Sequence, residues 1–321
     1  MENINLILNS AQSTIKKEGE SILNLQNFIN DSFANAVEYI LSSNGKLIVT
    51  GIGKSANIAQ KLVSTFNSTG QSSVFMHAGD AIHGDLGNIQ SQDVILCLSK
   101  SGNTPEIKVL IPLINSMGNK IISICGNQHS FLAKKSDWFI NSFVEEEACP
   151  NNLAPTSSST AQLVLGDALA ICLLELRNFS DIDFARFHPG GSLGKKLFLK
   201  MGALCSSENL PKVDVDCTMD KVIIEISKYR LGATLVVQND KMLGIITDGD
   251  IRRMIEHKMD IGITLAKDVM NTNPIVTQFD ELAINGLRLM QEKNISQIVV
   301  LENDLYRGIV HIHDVLKEGI L

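Results

Sequence analysis

The chain has 321 residues, 44% of them hydrophobic and 20% charged, with a formal net charge of -7. That is enough apolar material for two domains with real cores, and the composition is not that of a disordered chain. The acidic balance argues against long-range attraction to nucleic acid or to an anionic membrane.

The opening, MENINLILNSAQSTIKKEGESILN, alternates polar and apolar residues and lacks the apolar core of a signal peptide. No uninterrupted apolar run approaches the roughly 18 residues of a membrane span. Residues 4 to 42 read as one or two amphipathic helices, with Ile15, Ile22, Leu25 and Ile29 on one face. Five strand segments follow, the first within 46–55 (a short buried strand, a glycine turn and a helix start), the others at 71–77, 93–99, 120–126 and 137–142. They alternate with helical segments, which predicts a doubly wound, five-stranded parallel sheet of the α/β class. TSSSTAQLVLGDALAICLLELRN, residues 156–178, reads as a long helix with a hydroxyl-rich first turn. The six cysteines (97, 125, 149, 172, 205, 217) form no C-x-x-C pair, so they read as reduced thiols of a cytoplasmic protein, with no metal and no disulfide.

After FHPGGSLGKKL (187–197) the composition changes and the chain repeats itself. ATLVVQNDKMLGIITDGDIRRMI (233–255) matches SQIVVLENDLYRGIVHIHDVLKEG (296–319). Each copy reads as helix, strand, tight turn, strand, helix. One copy carries too few apolar residues for a core of its own, so the two are expected to pack on each other. The expected domains are 1–200, 201–260 and 265–321.

The turns carry the chemistry. SKSGNTPE (99–106) stands where the third strand hands over to a helix. Ser99, Ser101 and Thr104 supply hydroxyls, and Gly102 lets the backbone come close. The first amides of a helix are unpartnered and carry partial positive charge. Together they suit an anion, best a phosphate, at the carboxyl edge of an open sheet, where ligands bind. The plainer reading is an ordinary helix cap. GIGKS (51–55) occupies an equivalent turn, with Gly53, Lys54 and Ser55 as ligand contacts. It satisfies neither G-x-x-x-x-G-K-[ST] nor G-x-G-x-x-G, where Ala56 fills the last position. Ser157, Ser158 and Ser159 open the long helix as a third hydroxyl cluster. Glu106 stands in a helix first turn, His83 and His188 in glycine-rich segments, and EEEACP (145–150) offers three carboxylates.

G-x-G-K-S, then S-x-S-G-x-[ST]-x-E, then a hydroxyl-rich helix start resembles the sugar isomerase (SIS) domain. The repeat resembles a pair of cystathionine β-synthase (CBS) domains. With HGDLG, EACPNNLAPTSSST and HPGGSLGKKL, nearly the whole chain is similar to the D-arabinose-5-phosphate isomerases. The resemblance implies interconversion of D-ribulose 5-phosphate and D-arabinose 5-phosphate through an enediol. It also implies a place at the first step of Kdo (3-deoxy-D-manno-octulosonate) synthesis for lipopolysaccharide or capsule. Such chemistry needs no metal or redox cofactor; general acid–base action is typically worth about 10² to 10⁴ in rate. Carried over residue by residue, the resemblance puts Lys54, His83, Glu106, Glu147 and His188 in the active site. Glu106, Glu147 and the histidines would share the proton transfers, Lys54 would stabilise negative charge, and a carboxylate would have its pKa raised by burial. Which group takes the carbon-bound proton stays open. Asn103-Thr104-Pro105 departs from the family turn, and proline is tolerated at a helix start.

The resemblance further implies a homotetramer, with His188 reaching a neighbouring subunit. A nucleotide or nucleotide-sugar would sit at the CBS pair, on Thr247 and Asp250 of the first copy and Asp314 of the second. His311 replaces the usual Thr or Ser in the second copy, and a purely structural role for the pair stands beside the regulatory one. Two other functions remain open. A non-catalytic sugar-phosphate sensor would need the hydroxyl turns but not the acid–base set. An isomerase of hexulose phosphates would share both. A DNA-binding regulator would need a basic helix-turn-helix segment, which residues 1–40 do not show.

Overall fold

The computed structural model describes residues 2–205, 210–239 and 241–320. Asp240, inside the first repeat, lies outside the described residues. The chain divides into two compact units, Met1–Phe187 and His188–Leu321.

In the first unit, α1 (Glu2–Asn24) and α2 (Asp31–Ser42) precede the sheet. The strands are β1 (Leu47–Gly51), β2 (Ser73–His77), β3 (Val94–Ser99), β4 (Lys120–Cys125) and β5 (Trp138–Asn141). Between them run α3 (Lys54–Ser68), α4 (Ala78–Ala81), α5 (Pro105–Met117) and α6 (Phe131–Lys135). After β5 come α7 (Ser157–Leu176) and α8 (Asp181–Phe187). All pairings are parallel, in the order β2-β1-β3-β4-β5. The doubly wound five-stranded sheet read from the sequence is therefore present.

The central strands β1, β3 and β4 are apolar on both faces because both faces are covered there. Leu47, Val49, Leu96, Leu98, Ile122 and Ile124 pack against α2, α3 and α7, whereas Ile48, Ile95, Cys97 and Ile121 pack against α4 and α5. Among the described residues, α7 is the helix long and apolar enough to cross a membrane. Here it is a core helix: Ala161, Leu165, Leu169 and Leu173 are buried in the first of those clusters. Gly166 lets it approach α3, since a Cβ there would collide with the Leu62 side chain.

The second unit opens with His188 and α9 (Ser192–Phe198) and holds two three-stranded sheets. The first repeat contributes β6 (Lys212–Asp214), α10 (Met219–Tyr229), β7 (Ala233–Gln238), β8 (Lys241–Thr247) and α11 (Asp248–Glu256); α12 (Ala266–Val269), at the start of the second repeat, packs into the first one's core. The second contributes β9 (Val276–Gln278), α13 (Ala283–Glu292), β10 (Gln297–Glu302), β11 (Leu305–His311) and α14 (Ile312–Lys317). The hairpins match down to a register shift at Val236/Val237 and at Val300/Leu301. Leu235 and Ile245 of one copy share a buried cluster with Val299, Leu301 and Ile309 of the other, so the repeats do complete each other's core. The sequence reading missed β6 and β9. At three residues each, they are too short to show a period-two pattern.

Candidate functional site

The sheet order makes β1 and β3 neighbours whose following helices diverge: α3 packs on one face and α5 on the other. That is a topological switch point, where the loops part and open a crevice beyond the strand ends. A cavity of about 230 Å³ lies there. The β1–α3 turn lines it with Ile52, Lys54 and Ser55, the β3–α5 turn with Ser99, Lys100, Ser101 and Thr104, and the start of α7 with Pro155, Ser158, Ser159 and Gln162. The three hydroxyl-rich turns singled out in the sequence therefore meet in one place.

Each turn is held by its own backbone demands. Gly53 has φ +58°, a conformation that costs glycine little. Gly102 has φ +64°, and a Cβ there would collide with Ser130 Oγ and lie 2.6 Å from Cys125 Sγ. Ser99 Oγ accepts from Gly102 N at 3.0 Å, and Ser101 Oγ from Asn103 N at 3.2 Å. Asn103 Oδ1 and Gly102 O accept from Phe131 N and Leu132 N, which staples the turn to α6.

Thr104 occupies the N-cap of α5 but its side chain makes no cap bond, so the plain capping reading is not realised there. Its buried Oγ1 has no hydrogen-bond partner among the described residues, nor have Ser157 Oγ and Gln162 Oε1. Burying such atoms unpaired is costly; Thr104 and Gln162 line the cavity, where groups of this kind suit a polar ligand, whereas Ser157 does not line it.

Glu147, one of the groups expected to share the proton transfers, is not a carboxylate whose pKa burial has raised. It is 1% exposed. Oε2 accepts from Thr156 N at 2.8 Å, Thr156 Oγ1 at 3.2 Å and Ser158 N at 3.1 Å. Oε1 accepts from Ser158 Oγ at 2.5 Å and faces Lys100 Nζ at 2.5 Å. Burial by itself would raise the pKa. The bonds from Lys100, Ser158 and the Thr156 and Ser158 amides outweigh it and lower the value to about 2. Glu147 thus caps α7 from outside the helix. It also takes Ser158, so that hydroxyl and amide are engaged inside the protein rather than offered to a ligand. Its neighbours differ: Glu145 and Glu146 are not buried, and Glu146 pairs with Lys17 at 2.7 Å.

The other expected residues are spread more widely. Lys54 is exposed at the start of α3 and lines both this cavity and an adjoining one of about 500 Å³ that holds Gly53 and His77. Glu106 is half-buried in the first turn of α5, two residues past Thr104, but outside the cavity lining. His83 lies exposed between α4 and Gly84, its amide bonded to Asp80 O at 2.8 Å. His188 belongs to the second unit, in the loop before α9. The sequence reading missed Lys100, Thr156 and Gln162. Lys100 stood between two serines already chosen, a signal that was available; the partners of Thr156 and the placing of Gln162 appear only in the fold.

In the second unit, Thr247 and Asp250 form a capping box on α11. Thr247 Oγ1 donates to Asp250 Oδ2 at 2.6 Å, and Asp250 Oδ1 pairs with Arg253 at 2.5 Å. His311 and Asp314 repeat that box on α14, with Lys317 3.6 Å from Asp314. The His311 ring substitutes for the threonine, accepting from His313 N at 3.2 Å through Nδ1. The His311 pKa is lowered by burial and by His313.

Comparison with known proteins agrees with this architecture. The SIS domain family matches residues 40–172, and the CBS domain family matches 202–257 and 266–320. Arabinose 5-phosphate isomerase KdsD of Francisella tularensis is 44% identical over 315 residues, 97% of this chain and 96% of that protein. Its namesake from Pseudomonas aeruginosa is 41% identical over 323 residues, 100% of this chain and 99% of that protein. Among solved structures, an Escherichia coli CFT073 protein in complex with arabinose 5-phosphate aligns with a TM-score of 0.57 at 40% identity, over 59% of this chain and 100% of that one. With relatives this similar along almost its full length, the chain belongs to the arabinose 5-phosphate isomerase family.

Proposed function

We propose that this chain is an aldose–ketose isomerase that interconverts D-ribulose 5-phosphate and D-arabinose 5-phosphate. The observation that carries the reading is the convergence of three hydroxyl-bearing turns on one cavity of about 230 Å³. The near-full-length likeness to isomerases of that name supports it. The cavity falls below the roughly 300–1,000 Å³ of drug-sized pockets, which suits a small polar metabolite.

The phosphate would rest on the Ser99–Thr104 turn and the α5 N-terminus, with Thr104 Oγ1 and Ser55 as donors. Anchoring the far end of a flexible sugar orients its reacting carbons. A base then takes a proton from C1 of ribulose 5-phosphate, an enediol forms, and a proton is delivered to C2 to give the aldose. Lys54 would stabilise the oxyanion that develops on the sugar. Glu147, ionised and held by donors at both oxygens, is a poor base. The proton transfers fall to Glu106 and His83, joined by His188 reaching in from a neighbouring subunit, and Glu147 becomes a positioning residue for α7 and Lys100. The reading extends to a homotetramer in the cytoplasm, supplying arabinose 5-phosphate for Kdo synthesis. A nucleotide or nucleotide-sugar would bind at Thr247, Asp250 and Asp314.

The test is to incubate chelator-treated protein with D-ribulose 5-phosphate in D₂O and follow products by NMR. Arabinose 5-phosphate with deuterium at C2 is the expected result, lost in Glu106→Gln. Binding without turnover would replace the isomerase with a sensor. Turnover of a hexulose phosphate alone would replace the substrate.

A further inference from the structure

Glu147 poses an electrostatic problem for the site just described. The cavity is lined by donors and by the Lys54 cation, as an anion requires, yet an ionised carboxylate is buried against its wall through Ser158. A carboxylate and a phosphate oppose each other in one low-dielectric pocket unless a cation lies between them. Lys100 is that cation. Lys100 lines the cavity, its Nζ stands 2.5 Å from Glu147 Oε1, and its side chain remains 46% exposed. An ammonium has three donors. Glu147 is its one ion-pair partner among the described residues, which leaves donors for a ligand. The backbone of Lys100 is also fixed, its carbonyl accepting from Gly126 N at 3.1 Å.

We propose that Lys100 is a positioning and specificity residue: clamped by Glu147, its ammonium bridges that buried carboxylate to the phosphate and makes the pocket select phosphorylated over unphosphorylated sugars. The inference rests on the isomerase reading for its substrate, but its central claim concerns phosphate and is measurable without turnover. The clamp also explains why a lysine serves here. An unanchored lysine would lose side-chain entropy on binding, whereas this one is already oriented.

The experiment titrates inorganic phosphate calorimetrically into the wild-type chain, Lys100→Met, Lys100→Arg and the double variant Lys100→Met/Glu147→Gln. KM and kcat for D-ribulose 5-phosphate are measured alongside. Lys100→Met is expected to weaken phosphate binding and raise KM by on the order of tenfold or more, the scale of a charged hydrogen bond, with a smaller change in kcat. Lys100→Arg keeps most of the affinity. The double variant recovers a large part of it, because removing the carboxylate removes the repulsion. Phosphate affinity unchanged in Lys100→Met, or no recovery in the double variant, overturns the proposal. If Lys100→Met does not fold, Lys100→Gln, which keeps a donor without charge, makes the same comparison. A wild-type chain that binds phosphate but does not turn over ribulose 5-phosphate strikes the isomerase reading and leaves the Lys100 comparison decisive.

Discussion

Ser158 holds Glu147 twice, donating from its backbone amide to one carboxylate oxygen at 3.1 Å and from its hydroxyl to the other at 2.5 Å. This pair of hydrogen bonds ties the loop after β5 to the first turn of α7, and so fixes one wall of the cavity. Ser158→Ala removes the hydroxyl and leaves a buried charge one donor short. The expected loss is about 1–3 kcal/mol of unfolding free energy in urea. A variant as stable as wild type would mean that the carboxylate is satisfied without it.

The same carboxylate sets a pH dependence. Burial alone would raise its pKa, but Lys100, Ser158 and the helix amides lower it to about 2, below an unfolded value of about 4.3. A depressed carboxylate contributes stability that is fully present above the unfolded value and is lost as pH falls through the folded one. The advantage of wild type over Glu147→Gln should therefore be constant near neutrality and shrink steadily below pH ~4.5. Denaturation series at stepped pH check this; an advantage that persists undiminished to pH ~3 would trace the stabilisation to packing rather than charge.

Thr104 offers a cleaner separation of binding from folding. Its Oγ1 is buried without a partner among the described residues. Thr104→Val keeps the shape and deletes the hydroxyl, so thermal stability should hold or rise. KM for ribulose 5-phosphate should increase by roughly tenfold if the hydroxyl meets the phosphate. An unchanged KM would remove Thr104 from the binding set.

Gly102 tests the turn itself. Alanine there would collide with Ser130 Oγ and meet Cys125 Sγ at 2.6 Å on top of a φ of +64°. Gly118 has φ +84° but open space around it. Gly102→Ala should destabilise by more than about 1 kcal/mol and by more than Gly118→Ala, which feels the backbone strain alone. Equal losses in chemical denaturation would show that the turn relaxes away from its neighbours.

Cys149 follows Glu147 by two residues, and its thiol pKa is lowered by backbone bonds, first from Ala154 and then from Leu153 and Asn151. Cys97 and Cys125 are buried, and burial raises both. Since the thiolate is the nucleophile, brief treatment with iodoacetamide should label Cys149 well before Cys97 and Cys125, as read by peptide mass spectrometry. Simultaneous labelling would show that the EACPNN loop does not shelter a thiolate.

Much of this was legible in the residues. The five strands announced themselves because each is a short, largely apolar run between turn residues, and the three central ones are buried as a two-faced parallel sheet requires. The repeat was legible because both hairpins obey the same packing rule. Of the three adjacent glutamates, the fold leaves Glu145 and Glu146 exposed and buries Glu147. The direction of its pKa was not legible. It depends on Lys100 and Ser158, which lie on other elements.

The sequence by itself determined the alternation of strands and helices, the hydroxyl-rich turns and the second repeated module, because periodicity and turn chemistry are local properties of the chain. Tertiary structure alone decided that three turns far apart in sequence share one cavity, that Ser158 bonds Glu147, and that Lys100 both pairs with that carboxylate and lines the cavity. Those outcomes rest on strand order and on distances of a few ångströms between charges, and electrostatic energy depends on separation in space, whatever the separation along the chain.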